Sequence, residues 1–263
     1  METTTSADGT RIAFQRTGDG PPVVILGGAF SRASDGQGLA DALVTRGLGA
    51  VTLDRRGRGE SGDRRGSQPE DEVADVAAVI DAVGGEAAVL GHSSGAVLAL
   101  YAASLGVPVR ALFLSEPPFR FGIDEPEPGL PDRLQELIDA GDPGEAVSLF
   151  QLEGVELPRE MVESIRRSEM FPALVPLAQS TVYDALLTAR LSTPTPAMRS
   201  VSAPVTILRG EQTFPMLMTA ADRLSDAMPA AELVIVPESV MHRPDPAATA
   251  RIVSERMPAA DAG

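Results

Sequence analysis

Short apolar segments recur along the chain, and most of them are followed by a turn and a stretch with helical spacing. Six such segments lie at residues 23–26, 50–53, 87–90, 111–114, 205–208 and 233–236. Continuous apolar segments of this length are typical of strands that are buried on both faces, as in a parallel sheet. Their alternation with helices predicts an α/β protein with a doubly wound, mostly parallel sheet. Residues 11–16 alternate between polar and apolar side chains, which predicts an antiparallel edge strand.

The alternation stops between residues 117 and 200. Residues 117–131 are rich in proline and acidic side chains, which is typical of a loop or linker. Four helices are predicted to follow, at residues 132–140, 144–153, 159–170 and 173–190. A helical insertion between two strands is typical of a cap. We therefore expect a core domain of residues 1–116 and 201–263, with a helical cap or lid of residues 117–200.

The composition excludes several kinds of site. None of the 263 residues is Cys or Lys, which excludes disulfides, thiolate metal sites, a cysteine nucleophile and a lysine Schiff base. A metal site would rest on carboxylates and two histidines, His92 and His242, and we expect neither a metal nor an organic cofactor. The net charge of −15, from 37 acidic and 22 basic residues, argues against binding nucleic acid or an anionic membrane surface.

The N-terminal sequence gives no sign of a targeting segment. Residues 1–10 are polar and lack the basic segment and apolar run of a secretory signal peptide. The apolar segments of the chain are far shorter than the ~18 residues that a membrane-spanning helix needs. We therefore expect a cytoplasmic protein that acts on a small molecule. The sequence leaves the oligomeric state open, with a homodimer among the alternatives.

A candidate nucleophile follows the predicted strand at residues 87–90. Residues 91–95 read Gly-His-Ser-Ser-Gly and lead directly into a predicted helix. This is the G-x-S-x-G pattern in the strand–turn–helix context that it requires. Small flanking residues let the strand and the helix approach, and the helix N-terminus directs backbone N–H groups at the site. The pattern predicts Ser93 as the nucleophile, and the alternative is a connector that is merely rich in Gly and Ser.

A nucleophilic serine needs a base, and the chain has two histidines. His92 is adjacent to Ser93 in the turn, where neighbouring side chains diverge, so we expect it to pack in support of the turn. His242 follows the last predicted strand, in a loop at the carboxyl edge of the sheet, which is where such sites lie. His242 is therefore the predicted general base, and the alternative is a histidine of a surface loop.

Three features together resemble the α/β-hydrolase superfamily over almost the whole chain. They are the motif at residues 91–95, His242 in the last loop, and the segment Asp-Arg-Arg-Gly-Arg-Gly-Glu-Ser at residues 54–61. That segment matches the superfamily's D-x-R-G-x-G-x-S loop. The resemblance implies that the loop is structural and that Asp54 and Arg56 hold turns. A phosphate-binding loop is disfavoured, because the segment lacks the Lys of that motif.

The resemblance also implies an oxyanion hole, built from two backbone N–H groups that face the developing negative charge. One is expected from Ser94, the residue after the nucleophile. The other is expected from the loop after the strand at residues 23–26, which reads Gly-Gly-Ala-Phe. Ala29 is the preferred second donor and Phe30 the next, while a plain glycine turn is the alternative.

The third member of a catalytic triad orients the histidine. Relatives place an Asp after the strand at residues 205–208, but this chain has Thr213 at that position, which cannot serve. Glu116, after the strand at residues 111–114, is the preferred acid. Some α/β hydrolases carry their acid at that strand end, and the following Pro-Pro favours a rigid, extended backbone. Glu211 on the usual loop and a site without a carboxylate stay open as alternatives.

The expected activity is that of a serine-dependent hydrolase, which forms an acyl-enzyme on a small to medium, largely apolar ester, thioester or lactone. Phe30, Met170, Phe171 and Met216 are predicted to bind substrate, as adaptable apolar surface from the cap and the loops. Since a fold does not fix a reaction, two alternatives are kept. One is C–C bond hydrolysis, lyase chemistry or a rearrangement in specialised metabolism, and the other is an inactive binding protein.

Overall fold

Eight strands form one sheet in the computed structural model, which describes residues 1–258. In chain order they are β1 (Glu2–Thr5), β2 (Arg11–Thr17), β3 (Pro22–Leu26), β4 (Gly49–Leu53), β5 (Ala87–His92), β6 (Val109–Ser115), β7 (Val205–Gln212) and β8 (Glu232–Val240). Their order across the sheet is β1-β2-β4-β3-β5-β6-β7-β8. Strands β3 to β8 run parallel to one another, whereas β1 is antiparallel to β2 and β2 is antiparallel to β4.

The predicted α/β fold with a mostly parallel sheet is confirmed, and every one of the six apolar segments lies in a strand. The prediction of an edge strand at residues 11–16 was wrong in its position. β2 is antiparallel as expected, but the polar strand β1 pairs outside it, with Thr3 opposite Ala13. The last strand also continues past the apolar segment as far as Val240, because Gln212 of β7 still pairs with that residue.

Helices connect these strands. They are α1 (Gln37–Val44), α2 (Pro69–Ala82), α3 (Ser94–Ser104), α4 (Leu130–Asp139), α5 (Pro143–Leu149), α6 (Arg159–Arg166), α7 (Phe171–Leu174), α8 (Ala178–Arg190), α9 (Pro196–Arg199), α10 (Pro215–Ala227) and α11 (Pro246–Arg256). Several of them begin at a proline, because the first turn of a helix leaves its N–H groups unpaired and a proline there loses nothing.

Two clusters of buried side chains cover the two faces of the sheet. One includes Val79 of α2 and Leu98 of α3, and the other includes Leu43 of α1 and Ile252 of α11. The result is the three-layer arrangement in which helices cover both faces of a parallel sheet. Among the residues described, no helix combines the length and the apolar character that a membrane crossing requires.

Helices α4 to α9 lie between β6 and β7, in the region predicted as a cap. Helices α4, α5 and α8 share a cluster of buried side chains of their own, to which Leu134, Val147 and Val182 belong. Farther along α8, Leu187 joins the cluster that covers the sheet. Helix α8 therefore contacts both the other inserted helices and the core. Of the core predicted as residues 1–116 and 201–263, the last five residues lie outside the described chain.

Several inserted helices are shorter than the helices that the sequence spacing predicted. The helix expected at residues 144–153 changes into a π-helix at Phe150–Gly154. The helix expected at residues 173–190 is divided into α7, a 3₁₀ turn at Val175–Leu177 and α8. Pro176 lies in that 3₁₀ turn and offers no N–H for an α-helical bond, which accounts for the break.

The strand order places one crevice at the carboxyl edge of the sheet. β4 and β5 lie on opposite sides of β3, so the direction of the strand order reverses there. Open α/β sheets bind ligands at such a reversal, beyond the carboxyl ends of the strands. The loops after β3 and β5 therefore border the position where a site is expected.

Candidate active site

Ser93 occupies a sharp turn between β5 and α3. Its backbone has φ 54° and ψ −125°, a conformation that residues other than glycine rarely adopt. The flanking glycines permit the close approach of the backbones. A Cβ atom on Gly91 would lie 2.4 Å from the carbonyl oxygen of Gly95, and one on Gly95 would lie 2.2 Å from that of Leu26. The G-x-S-x-G spacing is thus a steric requirement of the turn.

The strain at Ser93 gives a testable prediction. Strained positions of this kind cost about 1–3 kcal/mol in stability. Glycine removes this strain, but it destabilises the folded protein by roughly 0.5–1 kcal/mol because it raises the entropy of the unfolded chain. We expect Ser93→Gly to be about 1 kcal/mol more stable than Ser93→Ala, because both remove the hydroxyl and only glycine removes the strain. Urea unfolding of the two variants measures the difference. Equal stabilities would show that the turn is unstrained.

His242 lies two residues beyond the end of β8 and faces a carboxylate from β6. Its Nδ1 is 2.5 Å from Oε2 of Glu116, the residue that directly follows β6. The backbone N–H of Gly210 donates to the other carboxylate oxygen at 2.9 Å, and the hydroxyl of Thr213 donates to Oε2 at 3.1 Å. Thr213, at the position where the resemblance led us to look for an Asp, thus supports Glu116 through a hydrogen bond.

Glu116 is buried, and its surroundings favour the charged form. Burial opposes ionisation, but the hydrogen bonds from His242 and from the backbone of Gly210 outweigh it, so the pKa of Glu116 lies below its usual range. Its φ of 47° shows that the expected extended backbone before Pro-Pro was wrong, because the residue turns sharply into the loop. Glu211, the alternative acid, is exposed at the end of β7.

His92 packs against the second histidine. The two ring centroids are 4.4 Å apart, and Nδ1 of His92 is 3.4 Å from the hydroxyl oxygen of Ser115. Burial, reinforced by the neighbouring His242, lowers the pKa of His92 to about 3. A histidine with so low a pKa is a weak proton acceptor at neutral pH. Of the two histidines, His242 is therefore better suited to act as a base.

The two predicted oxyanion donors lie beside Ser93. Ala29 and Ser94 both line the cavity that contains Ser93 and His242. The backbone N–H groups of Ala29 and Ser94 have no acceptor among the described residues, so both can donate to a bound ligand. Ser94 is also the first residue of α3, where helix geometry leaves N–H groups unpaired.

The cavity has a volume of about 330 Å³, and most of its surface is apolar. Of the four residues predicted to bind substrate, Met216 lines the cavity, whereas Phe30, Met170 and Phe171 do not. Met170 is 61% exposed, and the ring of Phe30 packs edge-on against Phe150 at 5.6 Å. Phe171 packs beside the inserted helices, with the guanidinium of an arginine 6.0 Å from its ring centroid.

Sequence reasoning missed most of the residues that line the cavity. Apolar side chains come from the π-helix, from the loop that follows it and from the loop before α10, and include Phe150, Leu157 and Phe214. Charged side chains also line it. Arg120 donates to Glu156 at 2.7 Å, and Asp184 of α8 is fully buried. The one sign of Asp184 in the sequence was an acidic residue at a position of α8 that is buried. The helical spacing did not identify the residues that pair with it.

The described residues offer no metal site, in that no three His, Asp or Glu side chains among them are grouped to hold an ion.

Comparison with known proteins places this geometry in a family. A sequence profile described as "Alpha/beta hydrolase family" matches residues 23–252. No curated protein matches the chain. Among solved structures, an alpha/beta hydrolase from Sphaerobacter thermophilus DSM 20745 is 38% identical, with a TM-score of 0.88 and coverage of 97% of this chain and 99% of that chain.

More distant structures share the fold. A thermophilic esterase from Thermogutta terrifontis, with malate bound, is 22% identical with a TM-score of 0.70, covering 97% of this chain and 95% of that one. The enol-lactonase from Burkholderia xenovorans LB400 is 14% identical with a TM-score of 0.68, covering 90% and 91%. The profile match over most of the sequence and the 38% identity to the Sphaerobacter protein show that this chain is an enzyme of the alpha/beta hydrolase family.

Proposed function

We propose that the protein is a serine-dependent hydrolase in which Ser93, His242 and Glu116 form the catalytic triad. One observation carries the proposal. A strained serine and a histidine line one cavity, and the histidine is joined at 2.5 Å to a buried carboxylate with a lowered pKa. With its Nδ1 proton donated to Glu116, His242 presents Nε2 as a free base.

In the proposed reaction, Ser93 Oγ attacks the carbonyl carbon of the substrate while His242 accepts the serine proton. The backbone N–H groups of Ala29 and Ser94 donate to the oxyanion, and His242 returns the proton to the leaving group. Water, activated by the same histidine, then attacks the acyl-enzyme and releases the acid. Glu116 orients the imidazole and stabilises its charged form, and no cofactor enters any step.

The proposed substrates are small to medium, largely apolar esters, thioesters or lactones. The support is the size and the apolar lining of the cavity, whose volume of about 330 Å³ is at the small end of ligand sites. Similar structures include an esterase and an enol-lactonase. We further propose that residues 117–200 act as the cap of this site, since Phe150 and Leu157 of that region line the cavity.

A substrate screen tests this proposal. Purified protein is offered p-nitrophenyl esters of short and medium acyl chains, matching thioesters, and a β-diketone. We expect the esters and thioesters to be hydrolysed, and where deacylation is slower than acylation we expect a rapid first release of p-nitrophenol that matches the enzyme concentration. Cleavage of the β-diketone alone would favour the C–C hydrolase, and no turnover together with no labelling by a serine probe would favour a binding protein.

A further inference from the structure

We propose that Asp184, on the inserted helix α8, is a positioning residue that holds both halves of the oxyanion hole. This inference rests on the proposed function, since it assigns a task to groups around that site. The carboxylate Oδ1 accepts from the Ser94 hydroxyl at 2.7 Å and from Arg55 Nη1 at 2.9 Å. Oδ2 accepts from Arg58 Nη2 at 2.6 Å. One carboxylate thus joins the loop after β4, the start of α3 and the inserted helix.

Arg58 extends this network to the first oxyanion donor. Its Nη1 donates to the carbonyl oxygen of Gly28 at 2.6 Å. That carbonyl and the N–H of Ala29 belong to the same planar trans peptide, so they point in opposite directions. A guanidinium fixed on the carbonyl side therefore sets the direction of the Ala29 N–H on the other side. A hydrogen bond to the carbonyl also polarises the peptide, which strengthens the N–H as a donor.

The second donor is held by a separate hydrogen bond to the same carboxylate. The Ser94 hydroxyl donates to Asp184, and the Ser94 backbone supplies the other N–H of the proposed oxyanion hole. Arg55 adds a weaker contact, because its Nη1 lies 3.3 Å from the carbonyl oxygen of Gly27 in the first loop. The positions of the two N–H donors, Ala29 and Ser94, thus both depend on the buried carboxylate of Asp184.

The charges of this network balance. Glu72 of α2 pairs with Arg55 through two hydrogen bonds of 2.8 and 2.9 Å, so two arginines face two carboxylates. Burial opposes the charge on Asp184, but Arg58 and Arg55 outweigh it and lower the pKa of that carboxyl. Asp184 therefore stays ionised, and its attachment to α8 couples the inserted helices to the oxyanion hole.

A purely structural ion pair would predict a loss of stability without a change in the chemistry. A positioning role predicts a loss of kcat with KM retained, since oxyanion contacts strengthen in the transition state. Removal of one donor outright costs roughly 10²–10³-fold in kcat, and a loosened donor should cost less. We expect Asp184→Asn to lower kcat about 10–100-fold and Ser94→Ala about 3–10-fold.

Ser94→Ala is the decisive variant, because it keeps the backbone N–H and every charge and removes one hydroxyl. The affinities of a trifluoromethyl ketone, which mimics the oxyanion, and of the product acid are measured alongside kcat and KM. We expect the ketone to bind more weakly in proportion to the loss of kcat and the acid to bind as before. Unchanged kcat and ketone affinity in Ser94→Ala overturn the inference, whether or not Asp184→Asn folds.

Asp75→Asn is the matched control. Asp75 of α2 is also a buried carboxylate, and it accepts two hydrogen bonds of 2.7 Å from Arg56 in the same loop, outside the cavity. We expect this variant to lose stability while its kcat and ketone affinity stay at wild-type values. A fall in both for Asp75→Asn would also overturn the inference. Wild-type protein that turns over no ester, thioester or lactone would instead defeat the proposed function.

Discussion

Replacement of Ser93 by alanine is expected to lower the turnover of an activated aryl ester by roughly 10⁴–10⁶-fold, because no other group at the turn can form the acyl-enzyme. Ser94, the neighbouring hydroxyl, is bound to Asp184 and starts a helix, so it is not positioned to replace it. Binding of substrate should persist, since the variant removes one hydroxyl and leaves the apolar cavity wall intact. The loss should therefore fall on kcat, with KM little changed.

Covalent labelling provides the second measurement for this variant. A fluorophosphonate should modify the wild-type protein at a single residue, identified by peptide mass spectrometry as Ser93, and should leave Ser93→Ala unlabelled. Ser200→Ala is a suitable control, because Ser200 is exposed at the end of α9 and should leave labelling and turnover unchanged. Full activity in a folded Ser93→Ala variant would refute the serine mechanism.

The parts of this fold that the sequence predicts well are those encoded locally. Continuous apolar segments marked the buried strands, because both faces of a parallel sheet are covered and alternation is lost. The turn at residues 91–95 was also predictable, because a close approach of strand and helix admits only glycine at Gly91 and Gly95. The proposal of His242 as the base follows from the count of two histidines and from its place after the last strand.

The features that the sequence did not predict depend on how distant segments pack. Phe30 and Phe171 are apolar and were predicted to bind substrate, yet they pack against the cluster of the inserted helices and do not line the cavity. Asp184 is separated from Arg55 by 129 residues, so no local pattern connects them. Strand β1 is polar and was missed, because an edge strand is specified by its pairing with β2 rather than by apolar side chains.

The position of the proposed acid, Glu116, lies between these two cases. Its location after β6 could be predicted from the strand pattern and from the resemblance to hydrolases that carry their acid there. Its backbone could not, because the φ of 47° at Glu116 is imposed by the turn that brings the carboxylate beneath His242. Thr213 has no carboxyl group, but its hydroxyl donates to Glu116, and this hydrogen bond depends on the pairing of β6 with β7, which no local sequence pattern reveals.

Glu116→Gln should lower kcat by about 10²–10⁴-fold at unchanged KM, because a neutral amide neither stabilises the imidazolium nor satisfies its neighbours. Both carboxylate oxygens of Glu116 accept hydrogen bonds, one from Gly210 and the other from Thr213 and His242. If the glutamine turns its NH₂ toward Gly210, two donors oppose each other at a buried position, at a cost of roughly 1–3 kcal/mol in stability. If it turns its NH₂ toward His242, the histidine must accept at Nδ1, and its Nε2 then carries a proton and cannot take one from Ser93.

Glu211→Gln separates the two candidate acids under matched conditions. It makes the same chemical change on the neighbouring loop, where the side chain is exposed, so we expect kcat and KM at wild-type values. Glu116→Asp keeps the charge but withdraws it from His242 by about one methylene, and it should recover part of the activity lost in Glu116→Gln. Steady-state kinetics on one ester compare all three variants. A large loss in Glu211→Gln with Glu116→Gln unaffected would transfer the role to Glu211, whereas graded recovery by the aspartate assigns the lost activity to the negative charge beside His242.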